Sequence, residues 1–203
     1  MSHYFSEKQD VKSAKKVINY KIKDEKFEFL TDNGVFSKTK VDFGTDAMLR
    51  AFLDENKKLG NIQILDIGCG YGVVSVVLKR FFEKAKILST DVNERALELT
   101  RENIQKNNRT DDFEVRKSFV FDNISENFDM ILSNPPIRAG KQVIFEIYEK
   151  SFFHLNKNGK FYCVIQTKHG AKSTKKKLEE LFGNCTTLVI EAGYRIFRCV
   201  KNG

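Results

Sequence analysis

The 203-residue sequence predicts an α/β fold: a doubly wound, mainly parallel sheet of seven strands, preceded by an N-terminal β-hairpin. Two observations carry that prediction. From Thr45 onwards, short runs rich in Ile, Leu, Val or Phe alternate with segments of helical period, and strands alternating with helices of this length run mainly parallel with both faces covered. The first of these strands also leads directly into a glycine-rich turn, where such a sheet places its ligand loop.

Taken in order, residues 17–31 alternate as Val17-Ile-Asn-Tyr-Lys-Ile22 and Phe27-Glu-Phe-Leu-Thr31 around Asp24-Glu25, which reads as two short strands joined by a turn. They form an appendage within residues 1–40. A helix around Asp46–Lys58 carries Met48, Leu49, Phe52 and Leu53 on one side. Strands follow at 62–67, 86–91, 112–117, 128–133 and 159–166, with helices near 73–83, 93–107, 139–154 and 171–182. Two strand-like segments near 186–191 and 194–200 close the chain. With no internal repeat and no Pro/Ser-rich linker, one domain is expected over 1–203, with 45–203 as a Rossmann-like core.

Composition narrows the setting. An apolar content of 41% supplies one sizeable core, and no apolar run approaches a membrane span. The polar start, Met1 to Asp10, lacks the apolar stretch of a secretory signal, so a cytoplasmic protein without membrane contact is expected. Cys69, Cys163, Cys185 and Cys199 form no C-x-x-C pair, which leaves no pattern for a metal, and three of them sit in apolar runs as core thiols. The net charge of +8 favours encounters with phosphate-rich partners. Seven lysines and no acid lie between Lys157 and Lys177, which suits either a solvated face or a nucleic-acid contact. None of the histidines reads as catalytic: His3 lies in a polar terminus, His154 ends a helix and His169 adjoins the lysine-rich stretch.

The glycine turn is Leu65-Asp66-Ile67-Gly68-Cys69-Gly70-Tyr71-Gly72, at a strand-to-helix junction where absent side chains let the backbone turn tightly beside the positive end of a helix. A bare glycine triplet also serves simple tight turns. The spacing here is GxGxG, whereas a dinucleotide needs the third glycine of GxGxxG beside its pyrophosphate. S-adenosylmethionine (SAM) has no pyrophosphate; its cationic groups call for a carboxylate, which Asp66 is placed to supply directly or through water. Asp91, about twenty residues on at the end of the second strand, is placed to accept from ribose hydroxyls. It also reads as a helix N-terminal carboxylate, although Asn93 is an equally good cap.

After the fourth strand comes Ser133-Asn134-Pro135-Pro136-Ile137-Arg138-Ala139-Gly140. Adjacent prolines fix the backbone and remove two donors, so the turn exposes acceptor oxygens. The Asn134 side-chain oxygen and the Pro135 carbonyl could each accept one hydrogen of a planar NH2 group and aim its lone pair at a methyl donor. Taken alone the segment is an ordinary turn. Sharing a sheet edge with the glycine loop makes it part of a site.

With these motifs the sequence resembles the class I SAM-dependent methyltransferases, and more closely the small-subunit (16S) ribosomal RNA guanine-N2 methyltransferases with their short single-domain bacterial relatives. The resemblance runs from Gly34-Val-Phe36-Ser37 and Asp42-Phe-Gly44-Thr45 through the glycine loop and Asn134-Pro-Pro-Ile-Arg-Ala-Gly-Lys141 to Gln166. It implies that Asp66, Gly68, Cys69, Gly70 and Gly72 hold SAM with Asp91 and Val92. It further implies that Asn134, Pro135 and Pro136 receive the target nitrogen, and that Phe36, Ser37, Asp42, Gly44 and Thr45 close the site. For Gly44 and Thr45 a turn and a helix cap are equally good readings. Two positions depart from the family pattern. Arg116-Lys-Ser118-Phe119 stands where many relatives carry an acid for the adenine, leaving Ser118 as the polar group and Phe119 as a packing face; Ile137 stands where an aromatic often stacks on the base, leaving that face to Phe36.

The implied reaction is metal-free transfer from SAM to the N2 of a guanine in ribosomal RNA or the small ribosomal subunit. An adenine N6 or a protein glutamine as acceptor, and a non-catalytic SAM- or RNA-binding module, stay open. Arg138, Lys141, Lys168, His169 and Lys172 are expected to contact phosphate. Many relatives carry a second domain that helps to bind RNA; here binding would fall to the basic surface or to a homodimer, or would be of low affinity.

Overall fold

The computed structural model describes residues 11–107 and 112–203, and the reading of His3 falls outside them. A hairpin opens the chain, β1 (Lys16–Ile22) against β2 (Glu25–Thr31), turning at Lys23 with φ 52°. Then come α1 (Phe43–Glu55), β3 (Gln63–Ile67), α2 (Val73–Phe81), β4 (Lys86–Asp91), α3 (Glu94–Asn107) and β5 (Phe113–Lys117). The second half holds β6 (Phe128–Ser133), α4 (Lys141–His154), β7 (Leu155–Gln166), α5 (Ala171–Phe182), β8 (Thr186–Glu191) and β9 (Tyr194–Val200).

Seven strands form one sheet in the order β5-β4-β3-β6-β7-β9-β8. Its links are parallel up to β7, and β9 is antiparallel to both of its neighbours. The order reverses between β3 and β6, the place where a doubly wound sheet opens a crevice. Alternation along the strands divides the core. Ile64, Met130, Leu132, Tyr162 and Val164 face the layer of α1, α2, α3 and the hairpin; Leu65, Ile131, Phe161, Cys163 and Ile165 face α4 and α5. No helix among the described residues is long and apolar enough to cross a membrane.

The hairpin is more than an appendage. Ile18, Ile22, Phe27 and Phe29 are buried in the core, and two asparagines of α3 complete the free edge of β2 as a further strand would. The Asn103 side chain accepts from the Leu30 N–H (2.6 Å) and donates to its carbonyl (2.9 Å). Asn107 does the same at Glu28 (3.2 and 2.8 Å).

Some boundaries differ from the sequence expectation. α1 starts three residues early because Asp42 caps it, accepting from the Thr45 N–H at 3.1 Å. α4 begins at Lys141 instead of 139, since Gly140 has φ 93° and Ile137–Ala139 form a separate 3-10 turn. Of the cysteines, Cys69, Cys163 and Cys199 are buried and Cys185 is half-buried.

Candidate active site

The C-terminal ends of β3, β4, β5, β6 and β7 surround a cavity of about 580 Å³ at the point where strand order reverses. The glycine loop forms its floor. Gly68 and Gly70 have φ of 73° and 57°, and a Cβ at either would meet no atom within 4 Å, so the backbone lies open for a ligand to approach. The loop is pinned from behind: the Gly68 and Cys69 N–H groups donate to the Thr90 carbonyl (2.8 and 2.9 Å), and the Thr100 hydroxyl donates to the Gly70 carbonyl (2.8 Å). Gly72 is the exception to its predicted role. It does not line the cavity but starts α2 at φ 88°, where a Cβ would meet Thr100 at 3.0 Å.

Two carboxylates face this cavity with raised pKa values. Burial pushes Asp66 up to about 7, against hydrogen bonds from the Ser75 N–H (3.2 Å) and hydroxyl (2.7 Å) and with a smaller push from Asp91. Burial likewise pushes Asp91 up to about 6, although its oxygens accept from the N–H groups of Gly70 and Asn93, each at 2.9 Å. Such desolvated acids gain from a bound cation or hydroxyl donor. Ser118 and Phe119 follow β5 beside Val92. The Ser118 hydroxyl is engaged in its own turn, donating to the Val120 carbonyl and accepting from the Asn123 N–H (3.2 Å each), while Phe119 is 46% exposed and presents its ring at the cavity.

Across the crevice, Asn134, Pro135 and Pro136 leave β6 and line the opposite wall with Ile137 and Arg138. The Asn134 Nδ2 donates both hydrogens, one to Asp42 Oδ2 (3.0 Å) and one to Thr45 Oγ1 (2.9 Å), so its Oδ1 forms the other edge of the amide. Phe36 (38% exposed) and Ser37 (φ 53°) roof the cavity; the Ser37 carbonyl accepts from the Tyr71 hydroxyl at 3.3 Å.

His169 lines the mouth, while Lys141, Lys168 and Lys172 are exposed just outside the lining. Among the described residues Arg138, Lys141, Lys168 and Lys172 make no ion pair; Lys175, Lys176 and Lys177 are neutralised by Glu179, Glu180 and Glu149. The lysine-rich stretch thus divides into a bare part at the mouth and a solvated helix face. Two lining residues, Gln166 and Tyr194, were not singled out from the sequence. Their side chains bond at 2.5 Å, and the signal for them was positional: Gln166 ends the strand next to β6, and the two-residue turn Ala192-Gly193 folds Tyr194 back beside it.

A seven-stranded sheet of this order, with a glycine loop and two acids at adjoining strand ends, defines the Rossmann-like methyltransferase fold. The family model described as the methyltransferase small domain matches residues 26–198, and the chain belongs to that family. It is similar to an uncharacterized protein, YbxB, of Bacillus subtilis (42% identity, 98% of each chain). It is also similar to ribosomal RNA small subunit methyltransferase C of Erwinia tasmaniensis, at 31% identity over 83% of this chain and 48% of that protein, so the chain spans about half the length of that relative. Among solved structures, a T. thermophilus 16S rRNA N2 methyltransferase in complex with AdoMet and guanosine superposes with a TM-score of 0.85, at 23% identity, over 96% of this chain and 52% of that one.

Proposed function

We propose that this chain is a SAM-dependent N-methyltransferase acting on the exocyclic N2 of a guanine in small-subunit ribosomal RNA. The observation that carries the reading is the fixed amide of Asn134. With both Nδ2 hydrogens committed to Asp42 and Thr45, the edge left for a ligand is an acceptor, which suits an NH2 group.

The residues present fit SAM: an open glycine floor, two desolvated acids, and an aromatic face at Phe119. Asp66 would face its cationic groups and Asp91 its ribose. When bound, SAM supplies an electrophilic methyl group. Asn134 Oδ1 and the Pro135 carbonyl accept the two amino hydrogens, which lessens delocalisation of the nitrogen lone pair into the ring and points it toward the donor. Phe36 offers the stacking face that Ile137 lacks, and a base flipped from a helix enters by the same mouth. The cations Arg138, Lys141, Lys168 and Lys172, which no acid among the described residues neutralises, favour a phosphate-bearing acceptor over a protein amide.

The test is transfer of labelled methyl from SAM to purified small ribosomal subunits, free ribosomal RNA and protein in parallel, followed by nucleoside analysis. N2-methylguanosine is the expected product. Label in protein alone overturns the substrate, and Asn134→Ala should abolish turnover while leaving SAM binding nearly intact.

A further inference from the structure

We propose that Asp42, Gly44 and Thr45 act as a clamp that sets the rotation of the Asn134 carboxamide, and are therefore positioning residues for methyl transfer. The inference rests on the reading of Asn134 as the acceptor for the target amino group. A carboxamide is nearly symmetric in shape, and a half-turn about its last side-chain bond exchanges oxygen for NH2. In the turned state Asn134 would present N–H to an incoming N–H, and the target would lose its acceptor.

Two groups oppose that turn, and they are not equivalent. Thr45 Oγ1, 2.9 Å from Nδ2, belongs to a hydroxyl that can also donate, so it tolerates either orientation. Asp42 Oδ2, at 3.0 Å, is a carboxylate oxygen that only accepts; a turned amide would set oxygen against oxygen. Asp42 therefore provides the discrimination and Thr45 the second anchor. Hydrogen bonds to a charged acceptor also polarise the amide and make its free oxygen a better acceptor.

The contact reaches across 92 positions of sequence, and Gly44 permits it. A Cβ at Gly44 would stand 2.8 Å from the Tyr194 ring and 2.9 Å from Asp42 Oδ2, the atom that holds Asn134. A bare backbone here lets the start of α1 sit against β9, where Phe43 and Tyr194 pack with ring centroids 5.4 Å apart. A cap alone would need none of this: Asp42 already caps α1 through the Thr45 N–H, and serine caps as well.

That difference supplies the test. Asp42→Ser keeps a capping hydroxyl but is too short to reach Asn134, whereas Asp42→Asn can hold an oxygen in the same place. With saturating SAM and ribosomal RNA or subunits as acceptor, Asp42→Ser should lower kcat roughly 10- to 100-fold, the size of one charge-assisted hydrogen bond. SAM affinity and thermal unfolding should stay close to wild type. Asp42→Asn, whose oxygen the Thr45 N–H can still hold toward Asn134 but without the charge, should recover part of the activity; Gly44→Ala should lower kcat as Asp42→Ser does and, through its clash with the Tyr194 ring, should also lower the melting temperature. In parallel, the side-chain amide NMR signal of Asn134, assigned by its disappearance in Asn134→Ala, should move far in Asp42→Ser and less in Asp42→Asn, which keeps the hydrogen bond but not the charge. An unmoved amide signal in Asp42→Ser, or a moved one with unchanged kcat, overturns the clamp. Absence of transfer by the wild-type protein to any acceptor would fall on the functional reading, and the amide signal would still decide whether the clamp exists.

Discussion

Replacing Asp66 by Asn should make the protein more stable and SAM binding weaker, and the gain in stability should depend on pH. Asp66 is 2% exposed, and burial holds its carboxyl at about 7 against the usual 3.8. Between those values the unfolded chain has released the proton and the folded protein has kept it. The native state thus binds more protons, and stability from this group falls as pH rises. Linkage puts the decline, relative to strong acid, at roughly 2 kcal/mol near pH 5 and about 4 kcal/mol near pH 8. Asparagine does not ionise and can still accept from the Ser75 N–H and hydroxyl, so Asp66→Asn removes the slope. Urea unfolding of both proteins at the two pH values should show the variant's advantage growing by about 2–3 kcal/mol from the lower to the higher. With Asp66 facing the SAM cation as proposed, the same change removes a charge-assisted partner, and affinity should drop roughly 10- to 100-fold. Wild-type affinity should weaken as pH falls through about 7, because the cation favours the ionised carboxylate. Parallel stability profiles would refute the argument, since they would mean that Asp66 is already ionised at low pH or that Asn cannot keep the Ser75 hydrogen bonds.

Three further outcomes follow from the packing. Gly68→Ala should cost only backbone strain, about 1–2 kcal/mol, because space is open there, whereas Gly72→Ala adds a clash with Thr100 at 3.0–3.3 Å and should lower the melting temperature by more. Asn103→Ala strips bonds from both backbone groups of Leu30 and from the Tyr71 carbonyl at a fully buried site, and should destabilise by roughly 2–4 kcal/mol in denaturant unfolding; Asn107→Ala, at the exposed end of the same edge, should cost about 1 kcal/mol or less. Changing Arg138, Lys141, Lys168 and Lys172 together to Gln should weaken RNA binding and flatten its salt dependence, by about 0.7 in slope for each phosphate that is no longer neutralised; an unchanged slope would place the RNA elsewhere.

The order of elements was legible because periodicity is local: apolar residues at period two or at helical spacing mark strands and helices without reference to the rest of the chain. The placement of the glycine loop and of Asn134 at adjoining strand ends followed from the parallel sheet alone. What stayed hidden depends on pairings between distant positions. Nothing near Asn103 or Asn107 in the sequence marks them as substitutes for a strand, and nothing near Asp42 shows that its oxygen serves both the Thr45 N–H and an amide 92 residues away.

Asp91 shows how structure separates two roles that the sequence leaves together. In the sequence it reads first as the ribose ligand, with a helix N-terminal carboxylate as the rival reading and room for both. In the fold, the cap of α3 is Asn93, whose side-chain oxygen accepts from the Arg95 N–H at 3.1 Å and the Ala96 N–H at 3.4 Å. Asp91 instead ties the Gly70 N–H of the glycine loop to the Asn93 N–H at the start of α3. The N–H groups of Gly70, Asn93 and Val92 occupy three of the four lone pairs of the carboxylate, and the group lines the cavity, so a place remains for a hydroxyl donor without breaking these bonds. With Asp91 as the proposed ribose ligand, holding the loop and receiving the ligand would be one role, because the acid that shapes the floor is already oriented when the ligand arrives.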